Sequence, residues 1–183
     1  SSLLNDRPSL VLRAAVNFTD GRHYPLTVIA NHLRSLNGND DPIDSRVRFK
    51  RAEQALYLAN VVNGMQIANP AEKIVLVGDF NAFPFNDGYV DSMGIISGHA
   101  APESQVIEYR ASPVVTPLVL GDALTADPMQ RYSYVFGGNA QTLDHAVVNQ
   151  SLINDPAVTG LSVEHARINS NFRVAHYGEF NPP

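Results

Sequence analysis

Lys73-Ile74-Val75-Leu76-Val77-Gly78-Asp79-Phe80-Asn81-Ala82 is the stretch on which the reading of this chain turns. Ile74 to Val77 is an unbroken apolar run with β-branched members, the pattern of a strand buried on both faces, and it ends in Gly-Asp-x-Asn. Such a strand delivers a carboxylate and an amide to a sheet edge. Gly78 leaves backbone room for a close approach, and Asp79 and Asn81, two apart on an extended chain, are expected on the same side. The pair suits a hard divalent cation, or a water and a phosphate oxygen. The plainer reading of the same residues is a strand followed by an Asx-turn.

Working outward from that stretch, Leu10 to Phe18 reads as a strand, with Asp20-Gly21 as a two-residue type I′ turn and Tyr24 to Ala30 as its partner. The partner also ends in polar groups, Asn31-His32-Leu33-Arg34-Ser35. After a polar loop, Asp44 or Ser45 is a plausible N-cap. Val47, Ala52, Ala55, Leu56, Ala59 and Val62 recur at helical spacing, which predicts an amphipathic helix from Ser45 to about Gly64 lying on the sheet. Arg46, Arg48, Lys50 and Arg51 are read as its solvated face, with a phosphate contact as the alternative for any one of them. Asn86 to Met93 reads as a short helix or turn, and Ser97 to Pro117 as a long surface loop with room for one short strand. Arg131 to Phe136 alternates as a strand does. Gly137-Gly138-Asn139 turns it, and Leu143 to Val148 is expected as its hairpin partner. Val158 to Ala166 is a further candidate strand, and Asn169 to Pro183 looks irregular.

The composition narrows the class. A length of 183 residues with 44% apolar content fits one domain with a real core. No stretch reaches the roughly 18 unbroken apolar residues of a membrane span. The formal net charge of −5 excludes a broad basic surface that holds nucleic acid by counterion release alone. With a polyanionic substrate, a bound metal and a few local Arg residues must supply the attraction. Zero Cys excludes a disulfide scaffold, a thiolate metal site and a Cys nucleophile, and fits either redox compartment. Ser1 to Pro8 has neither the charged region nor the apolar run of a signal peptide, so the protein is not exported or its leader lies outside this chain.

Ala30-Asn31-His32-Leu33-Arg34-Ser35, Val77-Gly78-Asp79-Phe80-Asn81-Ala82 and Thr142-Leu143-Asp144-His145, in this order, resemble the endonuclease/exonuclease/phosphatase superfamily that includes deoxyribonuclease I. Asn5-Asp6-Arg7-Pro8, Tyr132-Ser133-Tyr134-Val135-Phe136 and His165-Ala166-Arg167-Ile168-Asn169 look closer to its bacterial extracellular nucleases. The resemblance implies an α/β (α+β) fold, part of a four-layer α/β sandwich of the deoxyribonuclease I-like type, and a secreted or cell-surface protein. It implies metal-dependent phosphodiester hydrolysis of nucleic acid, DNA or RNA. Mg²⁺ is the expected cofactor, with Mn²⁺ or Ca²⁺ as options.

By the same resemblance His32 contacts the scissile phosphate, with Asn31 beside it as a further substrate-binding residue. Asp79 positions or deprotonates the attacking water, and Asn81 orients that aspartate and a phosphate oxygen; these two are also the expected metal ligands. Asp144 matches the aspartate that holds a second histidine in its working tautomer. The chemistry asks for such groups, because hydrolysis places negative charge on the non-bridging and leaving oxygens. Two other readings stay open: a phospholipid or inositol-phosphate phosphodiesterase on the same fold, and a catalytically silent binding module.

The departures are as specific as the matches. The superfamily's metal-binding Glu precedes everything present here, and its closing Ser-Asp-His motif has no counterpart, since Val174-Ala175-His176-Tyr177 lacks the Asp. His176 is read as an ordinary loop residue. His145 is expected on the opposite strand face from Asp144, in a packing role. The chain is therefore expected to be an incomplete domain, residues 1–183 being its latter part, with an apolar sheet face that invites self-association. The purified 183-residue chain is accordingly expected to show no hydrolysis by itself. Metal-dependent nicking of plasmid DNA by that polypeptide would contradict the expectation.

Overall fold

β1 (Leu10–Asn17) and β2 (His23–His32) form an antiparallel hairpin. Helix α1 (Arg46–Ala68) then returns the chain along one sheet face, so that β3 (Ile74–Asp79) lies parallel to β2. After α2 (Ser92–Ser97) and an irregular stretch come the two-residue β4 (Val119–Leu120), the hairpin β5 (Tyr134–Phe136) and β6 (Asn139–Gln141), then β7 (Asp144–Val148) and the single turn α3 (Gln150–Ile153). The computed structural model describes residues 4–167, and within them the main sheet has the order β1-β2-β3-β7-β4. This is a mixed sheet with helices, an α+β arrangement as expected, with one helical layer and one sheet layer among the described residues. No helix among them is long and apolar enough to cross a membrane.

The core lies between α1, α2 and one face of the sheet. Ala52, Ala55, Leu58, Ala59 and Val62 of α1 are fully buried, as are Ile29, Ile74, Leu76 and Val147 on the strands. Three alanines on the contact stripe let the helix axis come close to the sheet. Burial of side chains the size of Leu58 or Ile74 contributes about 2 kcal/mol each. The same stripe carries Gln54 and Gln66, both buried: Gln54 Oε1 accepts the Arg34 amide at 2.8 Å, and Gln66 Nε2 donates to the Thr116 carbonyl at 3.1 Å. The helix thus ties down loops as well as packing on strands.

The helix, the first turn and the central strand each differ from the sequence expectation. Arg48 and Arg51 are not on a solvated face but buried. Arg48 donates to the carbonyls of Asn39 and Asp41, and Arg51 reaches Asp87, Asn39 and the Asn81 carbonyl. Long charged side chains on the inner stripe are stabilised by these partners, which periodicity cannot show. The β1–β2 turn is wider than a type I′ pair: Phe18 N–H donates to Arg22 O at 2.9 Å, and only Gly21 has positive φ, so a three-residue connection replaces it. β3 is buried on one face only, for Val75 and Val77 are half-exposed.

β7 is not the partner of β5; it is inserted between β3 and β4, while β5 pairs with Asn139–Gln141. Gly137-Gly138 closes that short hairpin before the chain reaches Leu143. The helix near residue 90 is Ser92–Ser97, capped by Asp91, whose side chain accepts from Gly94 N. No strand forms over Val158 to Ala166, and none over Ser97 to Pro117. Asn169 to Pro183, with His176, lie outside the described residues.

The face of the sheet away from α1 carries Leu10, Leu12, Val16, Val28, Ala30, Val75, Val77 and Ala146 by strand alternation and register. Leu10, Leu12 and Val16 are 70%, 59% and 49% exposed. β1 is also an edge strand whose outer backbone groups face away from the sheet, a feature that templates pairing. An apolar face continuous with such an edge predicts that the 183-residue chain self-associates as its concentration rises. Sedimentation equilibrium reads this directly, and a single monomeric mass at high concentration would contradict it.

Candidate active site

Three strand ends meet in one row. In the parallel β2–β3 register His32 lies beside Asp79, and in the antiparallel β3–β7 register Asp79 lies beside Asp144. Cross-strand neighbours project to the same face, so the imidazole and both carboxylates stand together at the end of the sheet, on the face away from α1. His32 Nε2 is 3.4 Å from Asp79 Oδ2, and both side chains are partly exposed. Residues spread over more than a hundred positions are thus placed side by side by strand pairing alone.

Asn81 joins this row by a different route from the one alternation predicts. β3 ends at Asp79, and Asn81 has φ 47°, the only positive φ of a non-glycine among the described residues. Its backbone N–H donates to Asp79 Oδ1 at 2.8 Å, an Asx-turn, and its carboxamide nitrogen donates to the Leu33 carbonyl at 3.0 Å. Strand parity therefore does not aim Asn81; the turn and the end of β2 do. Arg51 holds the outer side of this turn, with Nη2 donating to the Asn81 carbonyl at 3.0 Å and Nη1 within 3.1 Å of Asp87. Burial pushes the Arg51 pKa down while the Asp87 charge opposes that shift, and a guanidinium stays protonated regardless.

Asn31 is not brought to the row. It is buried on the α1 side, where its nitrogen donates to the Ile29 carbonyl and its oxygen accepts from Ser9 Oγ. The alternation of side chains that exposes His32 turns its neighbour inward. Asn31 also explains Gly78: a Cβ there would lie 2.0 Å from the Asn31 carbonyl oxygen, and φ is 128°. Only glycine lets β2 and β3 approach at this point.

Arg7, for which the sequence suggests no role, packs against the row. Its Nη1 lies 2.7 Å from His32 Nε2 and 2.9 Å from Nδ1, and its Nη2 donates to the Leu33 carbonyl at 3.3 Å. The segment carrying it is tied to α1 through Lys50 to Asp6 at 2.6 Å and Gln54 to the Leu4 carbonyl at 2.9 Å. The hairpin pattern contains the signal, since the residues just before β1 must lie beside the end of β2. Tyr134 is a second addition. Burial pushes its phenol pKa up, and the charges of Asp79 and Asp144 add to the shift, which places the phenol in their field. Ser133 Oγ accepts from the backbone N–H groups of Leu143 and Asp144 and so fixes the start of β7.

The donor chemistry of the row bears on a metal. No group of three or more His, Asp and Glu side chains that could hold an ion exists among the described residues. The available ligands are hard oxygens of Asp79 and Asn81, with the Asp144 carboxylate opposed to Asp79. Mg²⁺ commonly takes one or two carboxylates and completes its shell with water and substrate phosphate oxygens, so this oxygen set fits it. Like charges directly opposed across strands are unfavourable by themselves, which also favours a cation in their vicinity.

His145 stands on the other face of β7, as alternation requires. It is buried, donates from Nε2 to the Ala82 carbonyl at 2.7 Å and meets the Phe80 ring edge-on. It therefore supports the Phe80–Ala82 turn from behind and takes no part in the row.

No protein-family profile and no curated protein matches the chain. Among solved structures it is similar to a β-hairpin deletion mutant of the β toxin from Staphylococcus aureus, at 15% identity and a TM-score of 0.45 over 96% of this chain and 54% of that one. A truncated TDP2 from Caenorhabditis elegans gives 13% identity and a TM-score of 0.42 over 78% and 54%. An endonuclease/exonuclease/phosphatase family protein from Bacteroides thetaiotaomicron gives 14% and 0.37 over 78% and 42%. The chain spans about half the length of the solved structures it matches. At these identities and scores no activity, ligand or partner is carried from them to this chain.

Burial lowers the His145 pKa below its usual 6.5, while the Ala82 carbonyl and the charge of Asp122 act the other way and His165 adds to the lowering. A lowered folded pKa means that the unfolded chain takes the proton first as pH falls. The stabilising contribution is fully present above about 6.5 and is lost as pH drops through and below that value. Urea unfolding at about pH 7.5 and about pH 5.5 should show the loss. His145→Gln, which keeps a donor toward Ala82 but does not titrate, should flatten it; equal slopes in both proteins would contradict the assignment.

Proposed function

We propose that the row of His32, Asp79 and Asp144, with Asn81 and Arg7, is the hydrolytic site of a metal-dependent phosphodiesterase of the endonuclease/exonuclease/phosphatase superfamily acting on nucleic acid. The observation that carries this reading is the row itself, an imidazole and two carboxylates registered on one sheet face with a guanidinium against the imidazole. A phosphodiester needs cationic and donor groups for its non-bridging oxygens and a carboxylate for the attacking water, and both kinds are present within one row.

In this reading Arg7 and His32 hold the non-bridging oxygens, Arg7 by charge and His32 by an N–H donor. Asp79 orients a water and accepts its proton as the oxygen–phosphorus bond forms and the bond to the leaving oxygen breaks. The leaving oxygen takes its proton from solvent or a second acid. Asn81 holds Asp79 through the Asx-turn, and Arg51 holds the turn. Asp144 is the carboxylate suited to orient a second imidazole. Mg²⁺ bound at Asp79 and Asn81 would offset the negative charge of the row and draw an anionic substrate to an acidic protein. Positioned proton transfer of this kind is worth about 10²–10⁴ in rate.

The test is the Asp79→Ala variant of the intact gene product, assayed on DNA, sphingomyelin and an inositol polyphosphate with and without Mg²⁺. The wild type should cleave DNA only with the metal, and the variant should lose at least about a hundredfold in kcat. Turnover of sphingomyelin or the inositol phosphate in place of DNA would move the substrate class. Binding without turnover, unchanged in the variant, would make the site a silent module.

A further inference from the structure

β7 enters the sheet with a strand neighbour on one side only. Its start, Asp144 to Ala146, pairs with β3, whereas β4 reaches only Val147 and Val148 and the β5–β6 hairpin is a separate two-stranded sheet. At this half-open end Asp144 stands directly opposite Asp79, and like charges opposed across strands are unfavourable. A contact outside the sheet ladder must therefore keep Asp144 in the row.

Ser133 makes that contact. Its Oγ accepts from the backbone N–H groups of Leu143 at 3.1 Å and Asp144 at 3.2 Å, and its own N–H donates to the Gln141 carbonyl at 2.8 Å. Thr142 Oγ1 adds a bond to the Arg131 carbonyl at 2.6 Å. Residues 131–133 thus stand where a further strand would lie, yet Arg131 and Tyr132 belong to no helix or strand that would fix them.

The strap from Val163 to Arg167 crosses this segment and is seated at both ends. At one end the Val163 N–H donates to the Leu124 carbonyl at 3.4 Å, and the Val163 carbonyl accepts from Thr125 Oγ1 at 3.0 Å. At the other, Arg167 Nη1 donates to the carbonyls of Gln130 at 3.1 Å and Tyr132 at 3.0 Å, and Nη2 donates to the Gln130 side-chain oxygen. The guanidinium carbon also lies 4.0 Å from the centroid of the Tyr132 ring. A planar fork on two carbonyls and a ring is a geometry that a point charge does not reproduce. The Tyr132-Ser133 and His165-Ala166-Arg167 stretches, far apart in sequence, meet in this one grip.

We propose that Arg167 is the positioning residue of Asp144: it clamps residues 130–132, the clamp sets Ser133, and Ser133 holds the start of β7 so that Asp144 stays in the row against the repulsion of Asp79. The catalytic consequence rests on the phosphodiesterase reading above; the placement of Asp144 does not.

The experiment compares the intact gene product with Arg167→Ala, Ser133→Ala, the double variant and Arg167→Lys, by backbone hydrogen exchange and by steady-state DNA hydrolysis with Mg²⁺. Arg167→Ala should speed exchange of the Leu143 and Asp144 amides about tenfold and leave the Val147 amide unchanged. It should lower kcat about tenfold or more with KM unchanged. Ser133→Ala should do the same, and the double variant should lose no more than either single one, because both cut the same chain of contacts. Arg167→Lys keeps the charge, loses the fork and should move both readouts in the same direction, which also guards against an Ala variant that fails to fold. Unchanged exchange at Leu143 and Asp144, exchange raised equally at Val147, or losses that add in the double variant overturn the proposal. So does a raised KM with unchanged kcat, which would put Arg167 on the substrate, or wild-type behaviour of Arg167→Lys. A wild type that cleaves no DNA overturns the nuclease reading instead, and the exchange comparison, which needs no substrate, then decides the Arg167 assignment by itself.

Discussion

Register is the constraint on which this molecule depends. His32, Asp79 and Asp144 become neighbours only because β2, β3 and β7 pair with no offset at their last shared positions. A slip of one residue in any of the three would send its row side chain into the α1 core and bring a core residue out. Apolar burial enforces the register: Ile29, Leu76 and Val147 occupy the opposite face and cannot turn to solvent cheaply. Core packing on one side of the sheet thereby sets which polar side chains line up on the other, and at Gly78 β2 and β3 come closer than a Cβ allows.

β1, β2, β3, β5, β7, the crossing helix, and His32, Asp79 and Asp144 at their strand ends are legible in the sequence because each rests on a local pattern, whereas β4 and β6 are too short to show one. A buried apolar run ending in Gly-Asp-x-Asn announces both its strand and its carboxylate, and helical spacing announces α1. What could not be read follows from long-range partners. Arg48 and Arg51 look like surface charges until Asn39, Asp41, Asp87 and the Asn81 carbonyl are placed around them. The partner of β7 is hidden because Gly137-Gly138 marks a turn without saying that Asn139–Gln141 is long enough to close it. Strand parity does not aim Asn81, because the strand ends two residues before it, and alternation turns Asn31 inward, away from His32.

The electrostatic character of the site also follows from the fold. Two carboxylates on adjacent strands, on a chain of net charge −5, would repel a phosphodiester. Arg7 counters this locally from the segment before β1, anchored by Lys50 and Gln54 of the same helix whose Arg51 holds the Asn81 turn. α1 is thus both the packing partner of the sheet and the frame for the polar end of it.

The buried pairing of Arg51 with Asp87 has a consequence for how the protein responds to its surroundings. Exposed charges are screened over about 8 Å at physiological ionic strength, and pairs excluded from water are screened far less. The side chains of Arg51 and Asp87 are 2% and 10% exposed, so the turn bearing Asn81 is insulated from dissolved salt while the exposed guanidinium of Arg7 is not. Brine would weaken the field of Arg7 while leaving the shape of the turn beneath it undisturbed.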